Sequence, residues 1–301
     1  MHPDLLAHFF QIVPIGLASG ILSGAFGVGG GIVTVPLIRH IVGVTPHVAV
    51  GNSLAVIMPT AVIGAFNYLK QGKLVPILAL ACGIPAVVGT IAAAAASPYV
   101  GGQFLMLLLA SLMLLVGLDF TLGIGHKFKR LKADEAASKA ALSASSASDT
   151  SSGGNSSTRG SATEFGGSIQ VPFKLDKKGW LTCLILGLLT GLLSGLLGVG
   201  GGFIMVPSFC YFLNLPLKTA FGTSLIVIAL VALPSTLVHS YYGHVQLWIV
   251  TPMLLGSLPG AWLGSYFALR TKDKWLRKVF GCLLILLAIV FAYKELTQTS
   301  G

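Results

Sequence analysis

The feature that most restricts the fold of this chain is a glycine tract that occurs twice inside apolar sequence. The first copy reads GAFGVGGGIVTVP, from Gly24 to Pro36, and the second reads GLLGVGGGFIMVP, from Gly195 to Pro207. Glycine is among the poorest helix formers, yet each copy lies in a run long enough to enter a bilayer. Any fold for the chain must therefore accommodate two glycine-rich interruptions at membrane depth.

The composition places the chain among membrane proteins. Of its 301 residues, 54% are hydrophobic and 9% are charged, whereas soluble domains contain about 25% charged residues. A spanning helix needs about 20 apolar residues, so the runs predict an all-α polytopic membrane protein with about eight transmembrane segments. The predicted segments are residues 9–42, 48–68, 74–96, 103–124, 180–213, 217–241, 245–269 and 279–293. The net charge of +10 comes from residues beside these segments, as membrane topology favours, so we expect no nucleic-acid partner.

The two halves of the chain are copies of one another. A shift of 171 residues aligns residues 16–38 with residues 187–209, and 13 of these 23 positions are identical. The same shift aligns Gly51 with Gly222 without a gap. Internal duplications of this kind are common in secondary transporters.

The duplication predicts three regions along the chain. Residues 1–124 form an N-terminal transmembrane repeat, and residues 179–301 form a C-terminal one. Residues 125–178 are rich in Ser, Gly, Ala and Thr and contain few large apolar residues. That composition predicts a disordered linker, and its basic residues place it in the cytoplasm.

Basic residues also favour an inverted arrangement of the two repeats. Lys and Arg concentrate on the cytoplasmic side of a membrane, and the linker carries nine of the 19. If the fifth segment crosses the membrane once, 12 of the 19 lie on the side of the linker. If that segment breaks at its glycines and returns, 17 of the 19 do. The second arrangement predicts inverted repeats, each with three crossings and one broken element, and both termini outside.

Six glycines before the GVGGG sequences recur at every fourth position. This spacing is typical of membrane helices that pack closely through small residues. We therefore predict helix packing as their role. The six are Gly16, Gly20, Gly24, Gly187, Gly191 and Gly195.

The glycines of GVGGG break that period, and we expect them to interrupt the first segment of each repeat. They are Gly27, Gly29, Gly30, Gly31, Gly198, Gly200, Gly201 and Gly202. Unwound backbone at membrane depth persists only where protein or water satisfies its polar groups. A helix that restarts near Ile32 or Phe203 exposes unpaired N–H groups, which attract anions. These glycines are candidates for substrate binding, with a simple hinge as the alternative.

Four polar residues at the start of the following segments are further candidates for substrate binding. The 171-residue shift aligns Asn52 with Thr223 and Ser53 with Ser224, so both halves carry polar groups just after the glycine tract. Ser and Thr side chains also bond the backbone of their own helix. A structural role is therefore the alternative.

His239 is a candidate for proton coupling, because ionisable groups within membrane segments are functional by default. An interfacial histidine is the alternative, and Asp119 is the corresponding titratable group of the first half. The histidines and cysteines lack the spacing of a metal site. The segments contain no HExxH or GxSxG, and GVGGG does not complete GxGxxG. We therefore expect no metal, no cofactor and no enzymatic activity.

The doubled glycine motif followed by Val-Pro resembles the sulfite exporter TauE/SafE family of membrane permeases. The AxGxSL sequences that begin at Ala49 and Ala220 fit the same resemblance. It implies a multi-pass carrier in the inner (cytoplasmic) membrane that moves small sulfur-containing anions such as sulfite or organosulfonates. Because the family is broad, the resemblance does not fix the substrate.

These observations favour a secondary transporter that moves a small anion through the lipid bilayer by alternating access. The chain carries no ATP-binding motif, so ion or substrate gradients would supply the energy. An anion channel is the first alternative, and a membrane-embedded enzyme is a weaker one. Assembly into a homo-oligomer is compatible with the sequence.

Overall fold

The computed structural model describes residues 3–122 and 177–299, and within these ranges the ordered elements are helices. The first half contains α1 (Pro3–Phe26), α2 (Gly31–Leu37), α3 (Pro46–Lys70), α4 (Pro76–Ala96) and α5 (Gly102–Leu122). The second half contains α6 (Lys177–Leu197), α7 (Gly202–Phe212), α8 (Leu217–Tyr241), α9 (Leu247–Arg270) and α10 (Asp273–Thr299). A π-helical turn, Ile38–Val42, follows α2, and a 3₁₀ turn, Ser97–Tyr99, follows α4. The predicted linker, 125–178, lies almost entirely outside the described residues.

Seven of the described helices are long and apolar enough to cross a membrane. They are α3, α4 with its 3₁₀ turn, α5, α6, α8, α9 and α10. Three shorter apolar helices cover Gln11–Phe26, Gly31–Val42 and Gly202–Phe212. The chain is therefore a multi-pass, all-helical membrane protein. The sequence predicts about eight segments, and the first of them is divided in the structure between α1, Pro3–Phe26, and α2, Gly31–Leu37.

Helix ends in this fold follow from local chemistry. Proline occupies the first turn of α3 and α4, where its missing N–H removes no helical hydrogen bond. Gly72 and Gly243 lie in the short connections after α3 and α8, with φ values of 64° and 71°. Such left-handed conformations suit glycine because it has no Cβ. After these turns α4 packs on α8 and α9 packs on α3, so each of the two helices contacts the other half.

The halves are joined mainly by two helix pairs, α1 with α9 and α6 with α4. The glycines that recur every four residues line these contacts, and a Cβ at any of them would meet backbone atoms of the partner helix. The pairs are Gly16–Met253, Gly20–Ser257, Gly24–Ala261, Gly187–Cys82, Gly191–Ala86 and Gly195–Thr90. The predicted packing role of this glycine stripe is confirmed. Close backbone approach of this kind is how membrane helices gain packing energy.

Equivalent helices of the two halves also pack on each other, and they run antiparallel. Gly51, near the start of α3, contacts His244, just after the end of α8. Gly222, near the start of α8, contacts Lys73, just after the end of α3. The two contacts are related by the same 171-residue shift that aligns the sequences. The pair α5 and α10 is antiparallel as well, since Gly117 contacts Ile285 and Gly281 contacts Thr121.

Candidate functional site

The backbone leaves the helical conformation at both GVGGG sequences. α1 ends at Phe26 and α2 begins at Gly31, while α6 ends at Leu197 and α7 begins at Gly202. The φ values between these helices are 64° at Gly27, 84° at Gly29, 74° at Gly30, 69° at Gly198, 77° at Gly200 and 69° at Gly201. A residue with a Cβ adopts such values at a cost of about 1–2 kcal/mol. The two loops therefore depend on glycine at these positions.

Each loop presents buried backbone N–H groups that lack partners. The N–H groups of Val33 and Thr34 bond the carbonyl of Gly30. Those from Val28 to Ile32 form no hydrogen bond with another described residue, although this stretch is buried. The second loop repeats the arrangement from Val199 to Phe203. Buried N–H groups without partners are rare in proteins because they are costly.

A pair of serine hydroxyls adds to this unsatisfied polarity. Ser23 precedes Gly27 by one helical turn, and Ser194 occupies the same position before Gly198. Both side chains are fully buried, and neither hydroxyl oxygen has a hydrogen-bond partner among the described residues. Hydroxyl groups without a partner among the described residues thus occur at matched positions of the two halves.

The two loops contact each other directly. A Cβ on Gly31 would lie 2.6 Å from the carbonyl oxygen of Gly198, and one on Gly202 would lie 2.6 Å from that of Gly27. Each loop also accepts a hydrogen bond from a serine hydroxyl of the other half. Ser53 Oγ donates to the Gly198 carbonyl at 3.0 Å, and Ser224 Oγ donates to the Gly27 carbonyl at 2.7 Å. The structure therefore brings Ser53 and Ser224 to the glycine loops.

Replacing Ser53 or Ser224 by alanine is expected to lower the free energy of unfolding by about 1–3 kcal/mol, because a buried carbonyl loses its partner. Ser111 is an exposed control, since its hydroxyl bonds Leu108 within its own helix, and Ser111→Ala should change stability by less than about 0.5 kcal/mol. Unfolding of the purified proteins in detergent measures the difference. Equal effects at all three positions would contradict the role of the two inter-half bonds.

Asn52 and Thr223 contact the connecting loops instead of the glycine tracts. The N–H of Gln246 donates to Asn52 Oδ1 at 2.8 Å, and the N–H of Val75 donates to Thr223 Oγ1 at 3.2 Å. Gln246 and Val75 are themselves equivalent under the 171-residue shift. In this structure the two side chains therefore hold the start of the next helix in the opposite half.

His239 lies beside the end of the helix that precedes the second glycine loop. Its Nε2 donates to the carbonyl of Gly195 at 3.3 Å. The residue at the equivalent position of the first half is Tyr68, whose hydroxyl donates to the carbonyls of Gly24 and Ala25 at 3.1 and 3.2 Å. Sequence reasoning missed Tyr68, although the 171-residue shift aligns it with His239.

Asp119, the titratable group of the first half, occupies a different position, since the 171-residue shift aligns it with Val290. Its Oδ2 accepts a hydrogen bond of 2.6 Å from the hydroxyl of Tyr211 on α7. The sequence analysis grouped Asp119 with His239 by chemical type, whereas the repeat aligns residues by position. Among the described residues, no group of three His, Cys, Asp or Glu side chains has the geometry of a metal site.

The space beside the first loop is small. A cavity of about 10 Å³ borders Val28 and Gly30, which is about the volume of a single water probe. Its remaining walls are apolar side chains, including Ile32 and Phe280. A much larger space of about 520 Å³ is lined by apolar side chains of α4 and α6, such as Ile84 and Trp180. The glycine loops are thus closely packed in the conformation described.

Sequence comparison now assigns the family. The family model for the sulfite exporter TauE/SafE matches residues 12–291, which includes both glycine loops and all the helix pairs described above. The chain belongs to the sulfite exporter TauE/SafE family. The resemblance expected from the doubled glycine motif is confirmed.

Curated relatives of this TauE/SafE family member are named as transporters. A "Probable membrane transporter protein" of Xylella fastidiosa (strain 9a5c) is 26% identical and aligns over 93% of this chain and 92% of its own length. "Probable membrane transporter protein YunE" of Bacillus subtilis (strain 168) is 26% identical over 95% of this chain and 98% of its own length. A Haemophilus influenzae protein with the first of these names is 33% identical over 36% of this chain and 44% of its own length. No solved structure matches the chain significantly.

Proposed function

We propose that the protein is a secondary transporter that moves a small anion, sulfite or an organosulfonate, across the cytoplasmic membrane. Membership of the TauE/SafE family supports the transport function. One observation supports an anion as the substrate. The two glycine loops contact each other, and each has a run of buried N–H groups without a partner among the described residues. Sulfite and sulfonate oxygens are acceptors that such groups bind well.

The proposed site lacks a full positive charge, and this suits a carrier. The buried polar residues around the loops are neutral, and a cation fixed at membrane depth is costly. Partial charges on backbone N–H groups attract an anion and still release it. We include the glycines of both loops in the site, together with Ser53 and Ser224, which position the loop carbonyls.

We further propose that the two repeats are inverted. The antiparallel packing of α3 on α8 supports this arrangement, since two equivalent membrane-spanning helices that run antiparallel are related by an axis in the membrane plane. The distribution of Lys and Arg supports it independently. An inverted pair places both loops near the middle of the bilayer, where carriers of this design hold substrate.

Alternating access follows from the same symmetry. Because the loops are closely packed in the conformation described, an anion enters only when one repeat shifts against the other. Exchange of the roles of the two repeats converts a site open to one side into a site open to the other. A channel would instead need a continuous path past the loops.

Proteoliposomes containing the purified full-length protein test this function. We expect uptake of labelled sulfite or methanesulfonate to saturate in the micromolar to millimolar range typical of specific sites, with acetate transported more slowly. Empty liposomes provide the background. Linear uptake without saturation would indicate a channel, and uptake no faster than background for every sulfur anion would contradict the proposal.

A further inference from the structure

Three histidines from both halves meet at one end of the interface, and we call them the histidine trio: His47, His239 and His244. The ring centroids of His47 and His244 are 5.6 Å apart, and those of His239 and His244 are 5.5 Å apart. His239 Nδ1 and His244 Nδ1 share a hydrogen bond of 3.2 Å. His47 begins α3 of the first half, whereas the other two lie at and after the end of α8. The antiparallel packing of α3 and α8 creates this cluster.

The hydrogen bonds of the trio fix where its protons lie. His47 Nε2 donates to the carbonyls of Ser97 and Val100 at 2.9 and 3.2 Å, and His239 Nε2 donates to that of Gly195. With Nε2 protonated, a neutral His239 accepts at Nδ1, so the Nδ1–H of His244 donates to it. One added proton on His239 would turn this acceptor into a second donor and break the bond.

The described side chains offer the trio no acidic partner that would balance such a proton. Among the described residues, no Asp or Glu forms an ion pair with the trio, and α4 carries no charged residue. Titratable groups near the trio are Tyr242, which stacks on His244, its neighbour Tyr241, and Tyr99 of the 3₁₀ turn. Cys82 and Cys183 lie further along α4 and α6, and the far ends of α3 and α8 carry Tyr68, Lys70 and Lys218. Lys177 and Lys178 begin α6 at its opposite end, and Arg39 and His40 lie in the π-turn before α3.

We propose that the histidine trio is a proton-dependent anion site, which binds one small anion together with a proton and delivers both toward the glycine loops. His239 links the trio to the second loop, because it bonds the carbonyl of Gly195 one turn before Gly198. The proton bound by the trio would be the coupling ion of the proposed transport. This inference rests on the proposed function. In the neutral trio the hydrogen bonds of the three rings stay within each half and only the ring contact of His47 with His244 crosses between the halves, whereas a protonated trio needs an external acceptor.

The direction of the coupling between proton binding and anion binding follows from thermodynamic reciprocity. Burial, together with the neighbouring His47, lowers the pKa of His244 below its ordinary value, so the neutral form prevails at neutral pH. A bound anion favours the cationic form and raises that pKa, and protonation tightens anion binding by the same factor. Anion affinity should therefore increase as the pH falls.

Methanesulfonate is a suitable probe because it keeps its single negative charge between pH 5 and pH 8. With the full-length protein in detergent, we expect its affinity to increase at least about tenfold from pH 8 to pH 5, within the usual range of coupling between two sites. Within this pH range the proton uptake that accompanies each bound anion should reach about half a proton at its maximum, as a tenfold coupling to one group requires, measured with a pH indicator in weak buffer.

Matched histidine variants identify the group responsible. His244→Gln and His47→Gln, at half-buried positions, should remove the pH dependence and the proton uptake. His40→Gln is the control, because His40 stacks on Phe291 away from the trio, and it should keep both. Methanesulfonate binding with unchanged pH dependence in His244→Gln and His47→Gln would overturn the trio and leave the proposed function standing.

A second probe separates the two proposals. If the protein binds no methanesulfonate at any pH, the proposed sulfonate transport is contradicted. Bromide binding then tests whether the trio is an anion site. Anomalous scattering from crystals grown at pH 5 with bromide should place an ion between the three rings. Crystals that show no bromide there would overturn the trio whatever the substrate of the protein.

Discussion

Replacing Gly30 or Gly201 by leucine is expected to abolish anion transport. Both residues have left-handed φ values of 74° and 69°, which a leucine adopts only with strain. A Cβ on Gly30 would also lie 2.5 Å from Ser19 Oγ and 2.8 Å from the Ser19 carbonyl oxygen, and one on Gly201 would collide with Thr190. The loop must then move, and its N–H groups move with it. We expect the initial rate in proteoliposomes to fall at least about a hundredfold, equivalent to about 2.8 kcal/mol.

Two other glycines separate backbone strain from the role of the loops. Gly72 and Gly243 have left-handed φ values as well, but a Cβ on either would meet no atom within 4 Å. Leucine at these positions should cost about 1–2 kcal/mol of stability and preserve transport. Wild-type transport by both Gly30→Leu and Gly201→Leu would remove the backbone site from the mechanism.

A gentler change covers the case in which the leucine variants do not fold. A Cβ on Gly29 would lie 3.0 Å from Ile228 Cγ2 and 3.3 Å from Ile57 Cγ2, so it meets only side-chain methyl groups. Gly29→Ala should therefore fold, as monitored by size-exclusion chromatography and thermal unfolding. We expect its transport rate to fall while its folded yield stays close to that of wild type. Unchanged transport by this folded variant would equally contradict the proposed site.

Gly191→Leu and Gly20→Leu are expected to prevent folding altogether. A Cβ on Gly191 would collide with the backbone of Ala86, and one on Gly20 would lie 2.7 Å from the Cα of Ser257. These are backbone atoms of rigid helices, so the helices must separate to make room. Separation of α6 from α4, or of α1 from α9, removes the main contacts between the halves. The expected measurement is loss of the monodisperse peak in size-exclusion chromatography.

Ala92→Leu is the control for added bulk on the same pair of helices. Ala92 lies on α4 and is exposed at the surface of the protein, where a larger apolar side chain meets lipid. This variant should fold and transport normally. Monodisperse protein from both glycine variants would show that close approach at the stripe is dispensable.

Much of this fold can be predicted from the sequence because duplication and hydrophobicity are both visible there. The four-residue spacing of Gly16, Gly20 and Gly24 predicts their packing, since a helical period places them on one face. The alignment of Ser53 with Ser224 likewise indicates a shared role before any contact is known. In each case the information lies in local spacing or in the repeat.

The histidine trio could not be predicted in this way. His47 and His244 are far apart in the sequence, and only the antiparallel packing of α3 on α8 brings their rings together. Their alignment partners, Lys218 and Lys73, are not histidines, so the repeat hides the cluster. The same holds for Tyr68, which differs in chemical type from His239 although it occupies the same position. Sites that break the symmetry of a duplication require the folded structure.

The difference between Tyr68 and His239 gives the two faces of the molecule unequal chemistry. The imidazole of His239 keeps a second ring nitrogen that can accept a proton, whereas the phenol of Tyr68 has none. Only the second repeat therefore carries an imidazole beside the helix that precedes its glycine loop. A Tyr68→His variant would place an imidazole at both equivalent positions, and the proposed pH dependence is then expected from both repeats.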